Sequence, residues 1–213
     1  MLKMNKQRGD TLIEAMFALT VFGFIVVTSL SLMNQGVSAS QRSLEITTVR
    51  QEMDGQAQTL RFLHEAYIQA YQPGQTYNLS DAITSPAEEY YKVIQFVKTA
   101  NLPSASQFGG TGACVIPNNA GKNFIMNPVT AQLVSTSTNP TVFKKALTSA
   151  QLSFGGGNTL SSSNGIWVEG VRSAVNGTNA GYIDYHIRAC WDGPGLDTPM
   201  NLGTIVRLYE PRA

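Results

Sequence analysis

Glu14 is the residue whose type and position point most clearly to chemistry, because it is a lone acid opening a long apolar run. Residues 15–33 carry no charge, whereas the bases Lys3, Lys6 and Arg8 lie upstream. At 1.5 Å per residue, a helix over residues 15–33 spans roughly 29 Å, about the hydrocarbon thickness of a bilayer. An unpaired carboxylate at the rim of such a helix costs on the order of a few kcal/mol. We therefore expect Glu14 to meet a positive charge.

The residues around Glu14 form a recognisable pattern. Gly9 ends the short basic leader, Asp10 follows it, and residues 11–14 read TLIE before the apolar run. This arrangement resembles the N-terminus of type IV prepilins and pseudopilins, and the resemblance covers roughly residues 1–71. It implies that a prepilin peptidase cuts after Gly9, and that Glu14 becomes the fifth residue of the mature chain. Asp10 departs from the family, which usually has Phe after the cut. The peptidase typically also methylates the new amine of the mature chain.

The resemblance implies a role in assembly. It predicts a structural subunit of a type IV pilus-like filament, with other pilin subunits, a prepilin peptidase and the assembly machinery of the cytoplasmic membrane as partners. Glu14 would meet the Asp10 amine of a neighbouring subunit in the dry filament core, where a paired charge is tolerable and an unpaired one is costly. About 204 residues remain after the leader, more than in many major pilins, which favours a minor pilin.

Location follows from the same pattern. The three leader bases favour a cytoplasmic N-terminus, since basic residues near a span tend to stay inside. The chain would be a single-pass protein of the cytoplasmic membrane with its head outside, and part of an extracellular pilus filament after assembly.

Other functions remain open beside the minor pilin. A type II secretion or DNA-uptake pseudopilin shares this N-terminus, and a membrane-anchored module that binds a surface ligand is an alternative of another class. An ordinary signal peptide cleaved after Ala39 would explain the basic start, but its apolar region is normally only 7–15 residues long. A simple single-span anchor is also possible, although it does not explain why Gly9 and Glu14 bracket the TLI sequence.

The overall charge gives no specific indication of nucleic-acid binding. The sequence has 15 basic and 14 acidic residues, and removing the leader leaves twelve bases against fourteen acids. The bases are scattered, whereas a nucleic-acid surface concentrates them.

The two cysteines, Cys114 and Cys190, both fall in the part expected to be exported. In an oxidising compartment an isolated pair most simply forms a disulfide, and the resemblance to pilins agrees. Two unpaired buried thiols are the alternative. We predict no metal site, because His64 and His186 lie at no recognisable ligand spacing from either cysteine.

Signals of catalysis are missing from the sequence. It contains no G-x-S-x-G, no H-E-x-x-H and no paired-carboxylate motif. The glycine-rich stretch at 108–112 lacks the lysine of a phosphate-binding loop. We predict that the protein is not an enzyme and binds no cofactor.

A long helix must position Glu14. We predict a leader over 1–9, a helix over 10–71 with a transmembrane half over 12–33, and a globular head over 72–213. Past the membrane-spanning part, apolar residues recur every three or four positions, which defines one helical face. That stripe comprises Ile46, Val49, Met53, Ala57, Leu60, Leu63, Tyr67 and Ala70. The opposite face comprises Arg50, Gln51, Asp54, Gln58, Arg61 and Glu65.

The head combines one short helix with strands. Ser85, Pro86 and Glu88 form a capping-box signature, which predicts a helix from Pro86 to about Thr99. Apolar or alternating segments predict strands over 124–126, 131–135, 165–171, 182–191 and 204–209. We therefore predict an α+β, pilin-like fold in which an antiparallel sheet packs on the second half of the long helix.

Overall fold

The computed structural model describes residues 10–74, 77, 85–99, 114, 123–173 and 181–211. The chain forms two compact units, Met1–Ser43 and Leu44–Ala213. Helix α1, Asp10–Ala70, contributes residues to both units. The protein belongs to the α+β class, as predicted, with a helix packed against an antiparallel sheet.

The unit Leu44–Ala213, called the folded unit below, contains a second helix and nine described strands. Helix α2 is Pro86–Gln95. The strands are β1 Lys98–Thr99, β2 Asn123–Met126, β3 Leu133–Ser135, β4 Phe143–Lys144, β5 Gln151–Phe154, β6 Leu160–Asn164, β7 Ile166–Arg172, β8 Tyr182–Trp191 and β9 Met200–Tyr209.

The larger sheet has the strand order β3-β2-β7-β8-β9, with every neighbouring pair antiparallel. The short strand β1 runs parallel to the end of β7, where Lys98 pairs with Val171. Since β8 occupies one edge of β7, β1 and β2 must share the other edge, end to end. A separate three-stranded sheet has the order β4-β6-β5.

The predicted apolar face of α1 packs against the larger sheet. Six stripe residues are buried, namely Val49, Met53, Ala57, Leu60, Leu63 and Tyr67. The predicted stripe is longer than the buried one, because Ile46 is only half-buried and Ala70 is exposed at the end of the helix. All six residues predicted for the opposite face are exposed. The 3.6-residue period therefore identified the packed face correctly.

Gln56 joins α1 to the sheet through hydrogen bonds that the apolar pattern does not reveal. Its side chain is fully buried, and Nε2 donates to the carbonyl of Met126 at 2.7 Å. The amide of Met126 donates to Oε1 of Gln56 at 2.8 Å. The pairing of β2 with β7 ends at Phe124, so the Gln56 amide satisfies backbone groups that the neighbouring strand does not reach.

Helix α2 begins as predicted and ends earlier. The Ser85 hydroxyl accepts a bond from the Glu88 amide at 3.3 Å, and the Glu88 carboxylate accepts one from the Ser85 amide at 2.8 Å. The helix ends at Gln95, so the predicted end near Thr99 is wrong. Lys98–Thr99 pair instead with β7, and that tertiary pairing overrides the local helical pattern.

The other predicted strands match the structure to different degrees. Strand β8 has the predicted bounds, whereas β9 begins at Met200, four residues before the expected start. In the first half of β8, Ile183, Tyr185 and Ile187 are buried and alternate with more exposed residues. The second half is buried on both faces, because Arg188 lies beside the buried Glu169 and Cys190 forms a disulfide.

Candidate functional site

The first candidate site is the apolar segment 12–33 in the unit Met1–Ser43. Every residue of this segment is exposed. Fourteen large apolar side chains surround the helix on all sides: Leu12, Ile13, Met16, Phe17, Leu19, Val21, Phe22, Phe24, Ile25, Val26, Val27, Leu30, Leu32 and Met33. A helix that is apolar all round is normally buried in a core or a membrane. This surface therefore requires an environment other than water.

The structure contains one helix, in its described part, that is long and apolar enough to span a membrane. It lies near the N-terminus, over Leu12–Ala70, and an 18-residue window of it has a mean hydropathy of 2.2. Within residues 12–33, Thr20 donates its hydroxyl hydrogen to the Phe17 carbonyl and Thr28 to the Phe24 carbonyl, both at 2.8 Å. These internal bonds satisfy the two hydroxyl donors without water.

The three residues expected to act in processing and assembly lie at the start of α1. Gly9 is outside the described residues, and Asp10 is the first residue of the helix. Glu14 is exposed and lies one helical turn after Asp10, so positions 10 and 14 share one face. Glu14 is also the one charged residue in the sequence between 12 and 33. The roles expected of these residues remain predictions.

The expected disulfide is present in the folded unit. Cys114 and Cys190 are bonded, with their Cα atoms 5.7 Å apart and a separation of 76 positions along the chain. Next to Cys190, the indole nitrogen of Trp191 donates to the Glu45 carboxylate at 3.2 Å. The disulfide and this bond fix the same end of β8, one to a distant segment and the other to α1.

The sequence prediction missed a cluster of tyrosines between α1, α2 and the sheet. Ring centroids of Tyr67 and Tyr90 are 5.3 Å apart, those of Tyr67 and Tyr71 5.8 Å, and those of Tyr77 and Tyr91 5.2 Å. Burial raises the pKa of Tyr67, and the neighbouring phenols raise it further. The phenol of Tyr67 is therefore neutral at physiological pH. Five of the eight tyrosines fall within residues 67–91, and this concentration is the sequence feature that could have predicted the cluster.

A polar group on the other face of the sheet was also missed. Arg188 and Glu169 form a buried ion pair at 3.7 Å, and Glu169 lies directly opposite His186 in the β7–β8 register. Burial lowers the pKa of His186, and the Arg188 guanidinium lowers it further. The carboxylates of Asp184 and Glu169 raise the pKa of His186, but they do not reverse the lowering. His186 is therefore predominantly neutral in the fold at neutral pH.

Among the described residues, no group of three or more His, Cys, Asp or Glu side chains is placed to hold a metal ion. No known family model matches this sequence, and comparisons with curated proteins and with solved structures find no match. Any functional conclusion therefore depends on the residues and geometry of this chain.

Proposed function

We propose that this protein is a structural subunit, a minor pilin, of a type IV pilus-like filament, processed by a prepilin peptidase and assembled through its N-terminal helix. The observation that carries the proposal is the exposed apolar segment 12–33 with Glu14 at its start. A membrane accommodates such a helix before assembly, and neighbouring helices would surround it in a filament. The basic leader ending at Gly9 supports cleavage before Asp10.

Apolar burial alone does not distinguish a filament subunit from a simple anchor. Lipid tails are as apolar as leucine side chains, so moving residues 15–33 from lipid to neighbouring helices changes their burial little. Glu14 provides the distinction, because its carboxylate is costly in either apolar environment unless a cation meets it. The α-amine that cleavage creates on Asp10 of a neighbouring subunit is such a cation.

Processing is the first test of the proposal. The full chain is coexpressed with a prepilin peptidase, and intact-mass analysis should find a mature chain that begins at Asp10. Replacing Gly9 with valine should block this cleavage. A mature chain that begins at Ser40 instead would support the signal-peptide interpretation and contradict the proposal.

Assembly is the second test and depends on Glu14. Glu14→Ala should leave the amount of protein in the membrane unchanged or raised, because the helix becomes more apolar. It should reduce the amount in purified filaments, because the neighbour's amine then lacks its partner in a medium of low dielectric constant. Glu65→Ala, which removes an exposed acid elsewhere on α1, is the matched control and should assemble normally.

Position 10 is also an acid and lies one helical turn before Glu14, so the decisive variant is the double substitution Asp10→Ala, Glu14→Ala. This variant should insert into the membrane and assemble poorly. Wild-type amounts of the double variant in filaments would show that charge pairing at this site does not control assembly. The secretion or DNA-uptake pseudopilus alternatives predict the same behaviour, and the location of the filaments separates them from a pilus.

A further inference from the structure

A cavity of about 260 Å³ lies in the folded unit, remote in sequence from the assembly segment. It is formed where α1 and α2 meet the ends of β7 and β9. Its walls include the side chains of His64, Tyr67, Tyr91, Arg172 and Glu210. The volume is slightly below the 300–1,000 Å³ typical of drug-sized ligands, so the cavity suits one small ring.

Aromatic rings form the apolar part of its wall. Tyr67 is buried and held by ring contacts to Tyr71, Tyr77 and Tyr90, so its ring is fixed. Tyr91 is half-buried and packs against Tyr77 at 5.2 Å. Rigid tyrosine rings offer large contact area at a low cost in conformational entropy. These rings can therefore stack on a flat ligand without rearrangement.

An ion pair forms the polar part of the wall. A terminal guanidinium nitrogen of Arg172 lies 2.8 Å from the Glu210 carboxylate, and both side chains are partly exposed. The Nε–H of Arg172 is buried and has no hydrogen-bond partner in the part of the chain that the structure describes. A buried donor without a partner costs about 1–3 kcal/mol, and Arg172 is one of the residues that line the cavity, so a ligand acceptor that reaches this atom would be stabilised.

His64 also lies in this wall, where a hydrogen bond to β9 holds its ring. Nε2 of His64 lies 2.8 Å from the Tyr209 carbonyl, which can only accept, so Nε2 carries the hydrogen. The Arg172 guanidinium and the Glu210 carboxylate supply donors and acceptors to the cavity, and their charges neutralise each other.

We propose that this cavity binds one neutral pyranose ring, such as a terminal hexose of a glycan. The flat face of the sugar would stack on the tyrosine rings, while adjacent hydroxyls bond to Arg172 and Glu210. A neighbouring pair of sugar hydroxyls matches this arrangement, since one can accept from Nε–H while the other donates to the carboxylate. The Arg172–Glu210 pair has no net charge, so it gives no net attraction to an anionic or a cationic ligand. The inference does not depend on filament assembly.

The test uses the full chain in a zwitterionic detergent, because detergents with sugar headgroups would compete. Methyl pyranosides of glucose, galactose, mannose and N-acetylglucosamine are titrated by saturation-transfer NMR, with phenol as the aromatic probe. At about 0.3 kcal/mol per heavy atom, a single sugar should bind with a Kd on the order of millimolar. At least one pyranoside should show saturation, strongest on the protons of its flat face.

Four variants, one of them a control outside the cavity, identify the site. Tyr91→Ala should weaken binding at least tenfold, whereas Tyr91→Phe, which keeps the ring, should retain it. Arg172→Lys keeps the positive charge but removes the Nε donor, and should weaken binding about fivefold. Phe154→Ala truncates an exposed aromatic residue on β5, away from the cavity, and should have no effect.

The melting temperature of each variant separates loss of binding from loss of folding. Binding lost in Tyr91→Ala with the melting temperature of the wild type supports the proposal. The proposal is overturned if no pyranoside binds, if phenol alone binds, or if Tyr91→Ala and Arg172→Lys bind as tightly as the wild type. None of these outcomes affects the processing and assembly tests.

Discussion

Replacing Gln56 tests how α1 is held on the sheet. The substitution Gln56→Leu keeps a side chain of similar length and removes both hydrogen bonds to the backbone of Met126. The Met126 amide and carbonyl face the edge of β2 beyond the last residue paired with β7, so the adjacent strand does not replace the lost bonds. Both groups become buried donors or acceptors without a partner.

The size of the effect follows from these two groups. Each unsatisfied buried backbone group costs about 1–3 kcal/mol, so the pair costs about 2–6 kcal/mol. The leucine side chain recovers part of this loss through its burial, at most about 1.5–3 kcal/mol. We expect a net loss of about 1–3 kcal/mol in the free energy of unfolding, a substantial fraction of the 5–15 kcal/mol of an ordinary domain.

Urea unfolding followed by tryptophan fluorescence measures the free energy of unfolding, and its signal comes only from the folded unit. The chain has two tryptophans, Trp167 and Trp191, and both are buried in the larger sheet. With a urea m-value of about 2 kcal/mol/M, the midpoint should fall by about 0.5–1.5 M. The matched control is Gln58→Leu, because Gln58 is exposed on the same helix and its replacement should shift the midpoint very little.

Equal midpoints for Gln56→Leu and Gln58→Leu would refute this reasoning. Hydrogen exchange offers an independent check, since the Met126 amide should lose its protection in Gln56→Leu and keep it in Gln58→Leu. A Met126 amide that exchanges rapidly in the wild type would also contradict the structure.

Three further predictions concern the folded unit. Gly165→Ala should destabilise by about 2–5 kcal/mol in urea unfolding, because φ is +71° and the new Cβ would lie 2.8 Å from the Ala146 Cβ; Gly156→Ala, with open space, is the control. Reducing the disulfide of Cys190, which closes a loop of 76 residues, should cost roughly 4 kcal/mol, and a loss below 1 kcal/mol would contradict this. His186 has a lowered pKa in the fold, so the unfolded chain binds its proton first and stability should fall as pH decreases below about 6.5. His186→Gln should lessen that fall between pH 7 and 5.5, and equal pH slopes in the variant and the wild type would refute it.

Periodicity predicted the packed face of α1 because apolar burial follows the helical repeat, and Val49, Leu60 and Leu63 are buried as expected. Gln56 escaped prediction for a physical reason. A buried amide is favourable only where backbone groups need it, and the open edge of β2 exists only in the folded structure. A pattern of apolar residues contains no information about such an edge.

The smaller sheet escaped prediction because its strands are short and two of them lack apolar alternation. Strand β6, for example, reads LSSSN, and β4 has only two residues. Neither has the apolar alternation that predicts a strand. Gly165 connects β6 directly to β7, with its amide bonded to the Lys144 carbonyl and its own carbonyl accepting from the Cys190 amide. Pairing across the two sheets stabilises these strands, and it depends on residues distant in sequence.

The tyrosine cluster was predictable only in part. The sequence shows that tyrosines concentrate in residues 67–91, but α1 and α2 carry them on separate elements. They converge because the capping box starts α2 at Pro86, which places Tyr90 and Val93 on its buried face. The cavity then depends on the ends of β7 and β9, which bring Arg172 and Glu210 to the same place.

In the proposed filament, the apolar segment and Glu14 would have different energetic roles. Fourteen exposed large apolar side chains, each contributing about 1.5–3 kcal/mol on leaving water, together contribute about 20–40 kcal/mol. This exceeds the stability of an ordinary domain and excludes an aqueous resting state for the segment. It does not select one axial offset between subunits, because lipid and neighbouring helices satisfy apolar side chains almost equally. An unpaired Glu14 carboxylate costs only a few kcal/mol, but this energy depends strongly on whether the amine of the neighbouring subunit lies beside it. A tenfold preference for one axial offset requires only about 1.4 kcal/mol. The large apolar contribution would therefore determine the environment of the segment, and the small ionic one its register.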